Sequence, residues 1–336
     1  MSTLTPADFQ IRQALEPIED LLADPFTKEV QVRQGGRYVL VASDGDPCVL
    51  PGRTFPGLEH ACVSIAGACG GGDLTEHFPK FTGRLDTYDA RFSAILPPLA
   101  RDGALMTIRR FPKRFTLDEL VDEHMLSPLM STLLRQAVLD RKSIMISGEG
   151  FSGKSTLALA LLGCIPPGQS IFILEEQGEM VLNSPFVTLL QGRGAVESLD
   201  PNRRPLAPIS LGDLLVATLL HSPGRIVVGE VKGAEAAAML MAGNTGHKGG
   251  VCTIHANSAN DALFRLAQCA ALAGGSLPYD SLLADVGRLI DIVAHVRRDG
   301  STRVIDHVIQ VDAYQRHGTF LTSAFPSPKG SACVDS

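Results

Sequence analysis

Residues 143–162, SIMISGEGFSGKSTLALALL, hold the residues best able to do chemistry. The run Gly148, Glu149, Gly150, Phe151, Ser152, Gly153, Lys154, Ser155 fits G-x-x-x-x-G-K-[ST], and Thr156 follows it. In such a loop the backbone N–H groups turn inward and, with the helix N-terminus that follows, cradle phosphate oxygens. Gly153 lets the backbone approach closely. Lys154 would reach the β- and γ-phosphates, and the Ser155 hydroxyl would serve as a Mg²⁺ ligand. An apolar strand before the loop and an apolar helix after it supply the setting this chemistry needs.

Three further apolar runs end in polar groups. Ile171–Leu174 lead into Glu175 and Glu176, with Glu179 nearby; Ile226–Val228 lead into Gly229-Glu230; 251–254 lead into His255. In open parallel sheets, ligands bind outside the carboxyl ends of the strands. Together these runs would supply what nucleoside triphosphate hydrolysis requires: a phosphate cradle, Mg²⁺ ligands (Ser155, Glu175, Glu176) and a carboxylate, Glu230, to orient water. If strands 226–228 and 251–254 are parallel neighbours, His255 lies beside Glu230 as a γ-phosphate contact. His247 precedes the strand. Eight residues at about 3.3 Å each separate the two rings too far for a shared metal ion, and His247 reads equally as a loop histidine bonded to backbone or as a site residue.

These positions require an α/β fold with a mostly parallel sheet, because strand, loop and helix alternate from about residue 140 onward. Before that the pattern differs. Residues 8–23 carry helical apolar spacing, 29–45 read as a β-hairpin about Gly35-Gly36, and RFSAILPPL and ALMTIRRF read as strands. The expected organisation is a smaller α+β domain over 1–112, a linker over 113–122, the α/β domain over 123–320 and a disordered tail over 321–336. Thr116 with Glu119 predicts a capping box, and 128–140 predict a helix.

Composition narrows the classes. The 336 residues are 45% hydrophobic with a net charge of −6, which disfavours a large nucleic-acid surface. The two basic clusters are 109–114 and 297–303, the second read as a solvated loop. No apolar run is long enough to span a bilayer, and the acidic, proline-broken start lacks signal-peptide character. Seven cysteines without a C-x-x-C pair suit a reducing compartment, so a cytoplasmic location is expected.

The boxes GEGFSGKST, ILEEQGEM, RIVVGEVKGAEA and GHKGGVCTIHANS, in this order, resemble the secretion ATPases of type II and type IV secretion and type IV pili, over roughly residues 84–312. DPFTKEVQV and the short chain after the last box look most like the TrbB-like conjugative-transfer branch. The resemblance implies a RecA-like ATPase domain behind a PAS-like α+β domain, and binding of ATP and Mg²⁺. It implies a homo-oligomeric, hexameric ring at the inner face of the bacterial inner membrane, held there by inner-membrane components of a secretion channel, with no direct nucleic-acid contact. By position in the family pattern, Arg91 and Arg109 match phosphate-contacting arginines, and Arg193, Arg203 and Arg204 are candidates for a contact in trans. Glu230, Glu175, Glu176 and His255 would be the catalytic set. Alternatives are a pilus or type II secretion motor, and a nucleotide-binding switch with little hydrolysis. Several positions depart from the family pattern: Gly150 and Phe151 replace the usual Thr and Gly, Glu176 replaces Asp, Lys232 replaces Arg, and Leu220 and Ser222 stand where arginines are usual.

Overall fold

The computed structural model describes residues 5–43, 47–70, 74–111, 113–176, 178–182, 184–192, 207–275, 277–300, 302–315 and 319–325. They form two compact units, one of the residues up to Phe111 with 207–208 and one of the other residues from Lys113 onward.

In the first unit, helix α1 (Pro6–Leu15) starts at a capping box between Thr5 and Asp8. The helical spacing over 8–23 is not one helix. Pro17 has no N–H to continue the ladder, so a 3₁₀ turn (Glu16–Ile18) intervenes before α2 (Glu19–Ala23). The expected hairpin is present as β1 (Glu29–Arg33) and β2 (Tyr38–Ala42). Its connection runs through Gln34–Gly36 and Arg37 rather than two glycines. Then come β3 (Cys48–Val49), α3 (Leu58–Ala68), β4 (Lys80–Leu85), β5 (Ala90–Ile95) and β6 (Leu105–Arg110). The six strands make one antiparallel sheet in the order β3-β2-β1-β6-β5-β4. Alternation sends Val30, Val32, Phe92, Met106 and Ile108 into a core with Leu15, Ile18, Leu58, Cys62 and Ile65.

The second unit opens with α4 (Leu117–Asp122), capped by Thr116 and Glu119 as the sequence predicts, and α5 (Pro128–Leu139). Residues 113–122 are therefore more than a linker: Leu117 and Leu120 are buried in this unit's core. The chain continues through β7 (Ile144–Gly148), α6 (Lys154–Leu162), β8 (Ile171–Glu175), β9 (Val187–Gln191), α7 (Leu211–Leu219) and β10 (Arg225–Val231). It ends with α8 (Glu235–Asn244), β11 (Val251–Ile254), α9 (Ala259–Ala271), α10 (Tyr279–Leu289), β12 (Ile292–Asp299), β13 (Thr302–Gln315) and β14 (Thr319–Ala324).

These strands form one sheet in the order β14-β13-β12-β7-β11-β10-β8-β9. It is parallel from β12 to β9, with β13 and β14 added antiparallel. Its fully buried strands read as continuous apolar runs because both faces are covered. Ile144, Ile146, Ile171 and Ile173 pack with α4, α5 and α6. Met145, Phe172 and Leu174 pack with α7, α8, α9 and α10. Two expectations are corrected here. Residues 321–324, expected to be disordered, belong to β14, where pairing with β13 satisfies their backbone. The cluster 297–303, expected to be a solvated loop, is exposed at its described residues but runs in the β12–β13 hairpin rather than a loop. Among the described residues, no helix is long and apolar enough to cross a membrane.

Candidate active site

The loop after β7 is shaped by positions that tolerate no ordinary side chain. Gly148 has φ +150°, and a Cβ there would lie 2.1 Å from the Val296 carbonyl oxygen on the adjacent strand. Gly153, at φ +100°, caps the N-terminus of α6. Phe151, where the family pattern has glycine, is held at φ +61° and the residue is 65% exposed. For an L-residue this left-handed conformation costs about 1–2 kcal/mol.

Lys154 is 7% exposed, and its ammonium donates to the carbonyls of Gly148 (3.0 Å) and Glu149 (2.5 Å). Burial brings its pKa down to about 8, opposed in part by the carboxylates of Glu230 and Glu149. The Ser152 hydroxyl is fully buried and finds no hydrogen-bond partner among the described residues. Such a group calls for an acceptor or donor from outside the fold. A buried cation, an orphaned hydroxyl and glycine-shaped backbone fit a polyphosphate. Ser155 and Thr156 sit half-buried on the first turn of α6.

The parallel pairing of β10 with β11 brings the predicted partners together: Glu230 and His255 meet through Oε1 and Nε2 at 2.8 Å. A register shift in β10 between Val228 and Val231 spans Glu230, as at many sites where a strand must re-aim a side chain. Next to it, Thr253 donates to the Gly229 carbonyl (2.6 Å).

Glu175 and Glu176 are adjacent in sequence but differently engaged. Glu175 is buried and accepts the Met180 N–H at 2.8 Å; Glu176 is exposed and pairs with Lys232. The pairing with Glu176 raises the Lys232 pKa. Among the described residues, no three His, Cys, Asp or Glu side chains gather as a metal cage. Mg²⁺ at nucleotide sites usually takes only one or two protein ligands, with phosphate oxygens and water completing the shell. Ser155 and one of these carboxylates would be donors of the kind such a site uses.

His247 lies before β11, at the strand's other end. Its backbone N–H donates to the Ala242 carbonyl, and its Nδ1 lies 3.3 Å from that oxygen and 3.2 Å from the Thr245 hydroxyl. It is a loop histidine tied to backbone. In the first unit, Arg91 and Arg109 stand directly opposite each other on β5 and β6, and Arg109 lies 3.9 Å from Glu29. Arg193, Arg203 and Arg204 lie outside the described residues.

The profile of the type II/IV secretion system protein family matches residues 80–319, well over half of the chain. The chain belongs to this family. It is 29% identical over 299 residues to the conjugal transfer protein TrbB of Rhizobium radiobacter, covering 88% of this chain and 87% of that protein. It is 34% identical over 254 residues to the type IV secretion system protein PtlH of Bordetella pertussis, covering 68% of this chain and 72% of PtlH. The X-ray structure of the Legionella pneumophila ATPase DotB shares the fold, with a TM-score of 0.60 at 18% identity over 94% of this chain and 83% of DotB.

Two of the chain's departures from the family pattern fall on one contact: Glu176 and Lys232 pair with each other. Sequence reasoning missed two other groups. Arg303, on β13, donates through Nε to the Phe151 carbonyl at 3.1 Å. The buried Ser147 hydroxyl, one residue before Gly148, meets Nδ1 of His295 at 2.9 Å. Burial lowers the His295 pKa, and neighbouring His307 adds to the shift. The register of β12 on β7, with His295 opposite Ser147, produces the second contact, and only the strand order reveals it.

Proposed function

We propose that the chain is a Mg²⁺-dependent ATPase of conjugative or type IV secretion, working as a homo-oligomeric ring at the cytoplasmic face of the inner membrane. The observation that carries this reading is the Glu230–His255 contact at the carboxyl ends of β10 and β11, on the same sheet edge as the buried ammonium of Lys154. The loop, Gly148 through Thr156, would hold the phosphates. Ser155 with Glu175 or Glu176 would hold Mg²⁺, which when bound neutralises phosphate charge. Glu230 is suited to orient a water, and His255 to hold that carboxylate in place and meet the γ-phosphate. In the family's scheme of a RecA-like domain behind a PAS-like one, Arg91 and Arg109 would add phosphate contacts. The relatives' conjugal transfer and type IV secretion roles favour a secretion channel as partner.

The test is ATP turnover with Mg²⁺ across a range of protein concentrations. Specific activity is expected to rise with concentration and to fall by at least about a hundredfold in Lys154→Ala and Glu230→Gln proteins. Unchanged turnover in either variant would sink the assignment. A second reading, a nucleotide-gated ring with little hydrolysis, draws on Leu220 and Ser222. Leu220 is 85% exposed where the family pattern has arginine. Tight ATP binding with background turnover at every concentration would favour it.

A further inference from the structure

Arg303 enters the second unit's sheet at the start of β13, opposite Arg298 on β12. β12 is itself hydrogen-bonded to β7, with Val296 opposite Gly148, so the hairpin is bonded to the strand that feeds the phosphate loop. Two contacts tie Arg303 to that loop. Its Nε donates to the Phe151 carbonyl at 3.1 Å. Its stem runs along Gly153, with Cδ 3.0 Å from where a Cβ of that residue would stand. Phe151 is the one non-glycine residue of the loop at positive φ, +61°. A bulky residue in that conformation persists only where its surroundings over-determine it. The Arg303 bond falls on the carbonyl of this strained residue and the stem on the next glycine along, so the side chain brackets the corner.

We propose that Arg303 is a positioning residue of the phosphate loop. It clamps Phe151 in the left-handed conformation and so keeps the loop curved for a nucleoside polyphosphate before one arrives. The proposal rests on the nucleotide-binding reading above. Without the clamp, Phe151 relaxes toward negative φ and carries the N–H groups of Ser152 and Gly153 out of place. Binding must then restore them. Glycine occupies positive φ as readily as negative, so a glycine at 151 makes the clamp dispensable.

The test is a double-mutant cycle on the full chain, using Arg303→Ala, Phe151→Gly and the pair, with Arg303→Lys as the conservative variant. Two readouts are taken: equilibrium ADP binding without turnover, and amide hydrogen exchange across 149–154 without nucleotide. Arg303→Ala is expected to weaken ADP binding about five- to tenfold and to speed exchange in the loop, and Arg303→Lys to recover part of both. In the Phe151→Gly background, removal of Arg303 should change ADP affinity by less than about twofold and leave exchange unaltered. An equal loss of affinity in both backgrounds would overturn the clamp in favour of direct nucleotide contact, and no effect in either would overturn it outright. A native chain that binds no ADP refutes the nucleotide reading, and the exchange data then decide the clamp on their own. Circular dichroism identifies any variant that misfolds, and Arg303→Gln replaces Arg303→Ala in that case.

Discussion

At the scale of single residues, the proposed phosphate binding turns on Lys154. Its ammonium is lowered to about 8 because burial strips it of water faster than Glu230 and Glu149 restore favourable charge. A base with a lowered pKa loses its proton as pH rises through that value, whereas a bound phosphate favours the charged form. Binding above about pH 8 must therefore take up a proton. ADP affinity is expected to be nearly flat below about pH 7 and to weaken roughly tenfold between about pH 7 and pH 9. Calorimetry in buffers of different ionisation enthalpy would show the proton uptake directly. An affinity independent of pH over that window would mean that the amine stays charged in the free loop.

Much of the candidate site was legible at this scale because its parts are contiguous in sequence. The phosphate loop is one strand–loop–helix segment, and the Glu230–His255 contact follows once two apolar runs are set side by side. Arg303 was not legible. It is far along the chain from Phe151, and its place depends on β12 pairing with β7, which no local pattern specifies. The same holds for Glu176 and Lys232. Each reads alone as a conservative change, and only the ion pair shows that they belong together.

At the scale of elements, one buried arginine ties the non-catalytic ends of several together. Arg225, 2% exposed at the start of β10, donates to the carbonyls of Val138 at the end of α5 and Gly249 before β11. It also donates to the Gln169 side chain before β8. Its bonds go to neutral acceptors, so truncation strands buried carbonyls without a substitute donor. Arg225→Ala is expected to lower unfolding stability by roughly 3 kcal/mol, with Arg225→Lys recovering only part of it. Urea denaturation monitored by circular dichroism measures this, and a loss under about 1 kcal/mol would mean that water replaces the guanidinium.

Element boundaries were read well where caps or breakers mark them, as at Thr116, and poorly where small residues blur the pattern. Over 46–80 the chain is rich in Gly, Pro and Cys, yet α3 lies there, burying Leu58, Ala61, Cys62, Ile65 and Ala66 at helical spacing. Alanine and cysteine carried that stripe too weakly to stand out. The edge strand β14 was missed because its burial alternates only faintly and its partner strand comes from the region thought to precede a tail.

At the scale of the whole molecule, charge sets what the chain can grip. A net charge of −6 leaves little to offset against phosphate backbones. Single- or double-stranded DNA is expected to leave ATP turnover unchanged, within about a factor of two, even at about 50 mM salt where such contacts are strongest. A rate rising severalfold with added DNA would instead identify a motor that tracks nucleic acid. The two units also differ in how their sheets are covered. The second is sandwiched between helices, while the first packs helices on the core face carrying Val30, Phe92 and Met106 and turns Glu29, Arg91 and Arg109 the other way. The two arginines proposed to reach phosphate are thus carried by a sheet surface, not by loops.

The exposed Phe151 also provides a spectroscopic opening. The chain contains no tryptophan, so Phe151→Trp would install a lone indole at the rim of the phosphate loop, on a residue whose backbone sits in a constrained corner. Excited at the red edge of indole absorption, beyond that of the chain's four tyrosines, it would report this loop alone. Nucleotide arrival and departure could then be timed by stopped-flow fluorescence without an attached label.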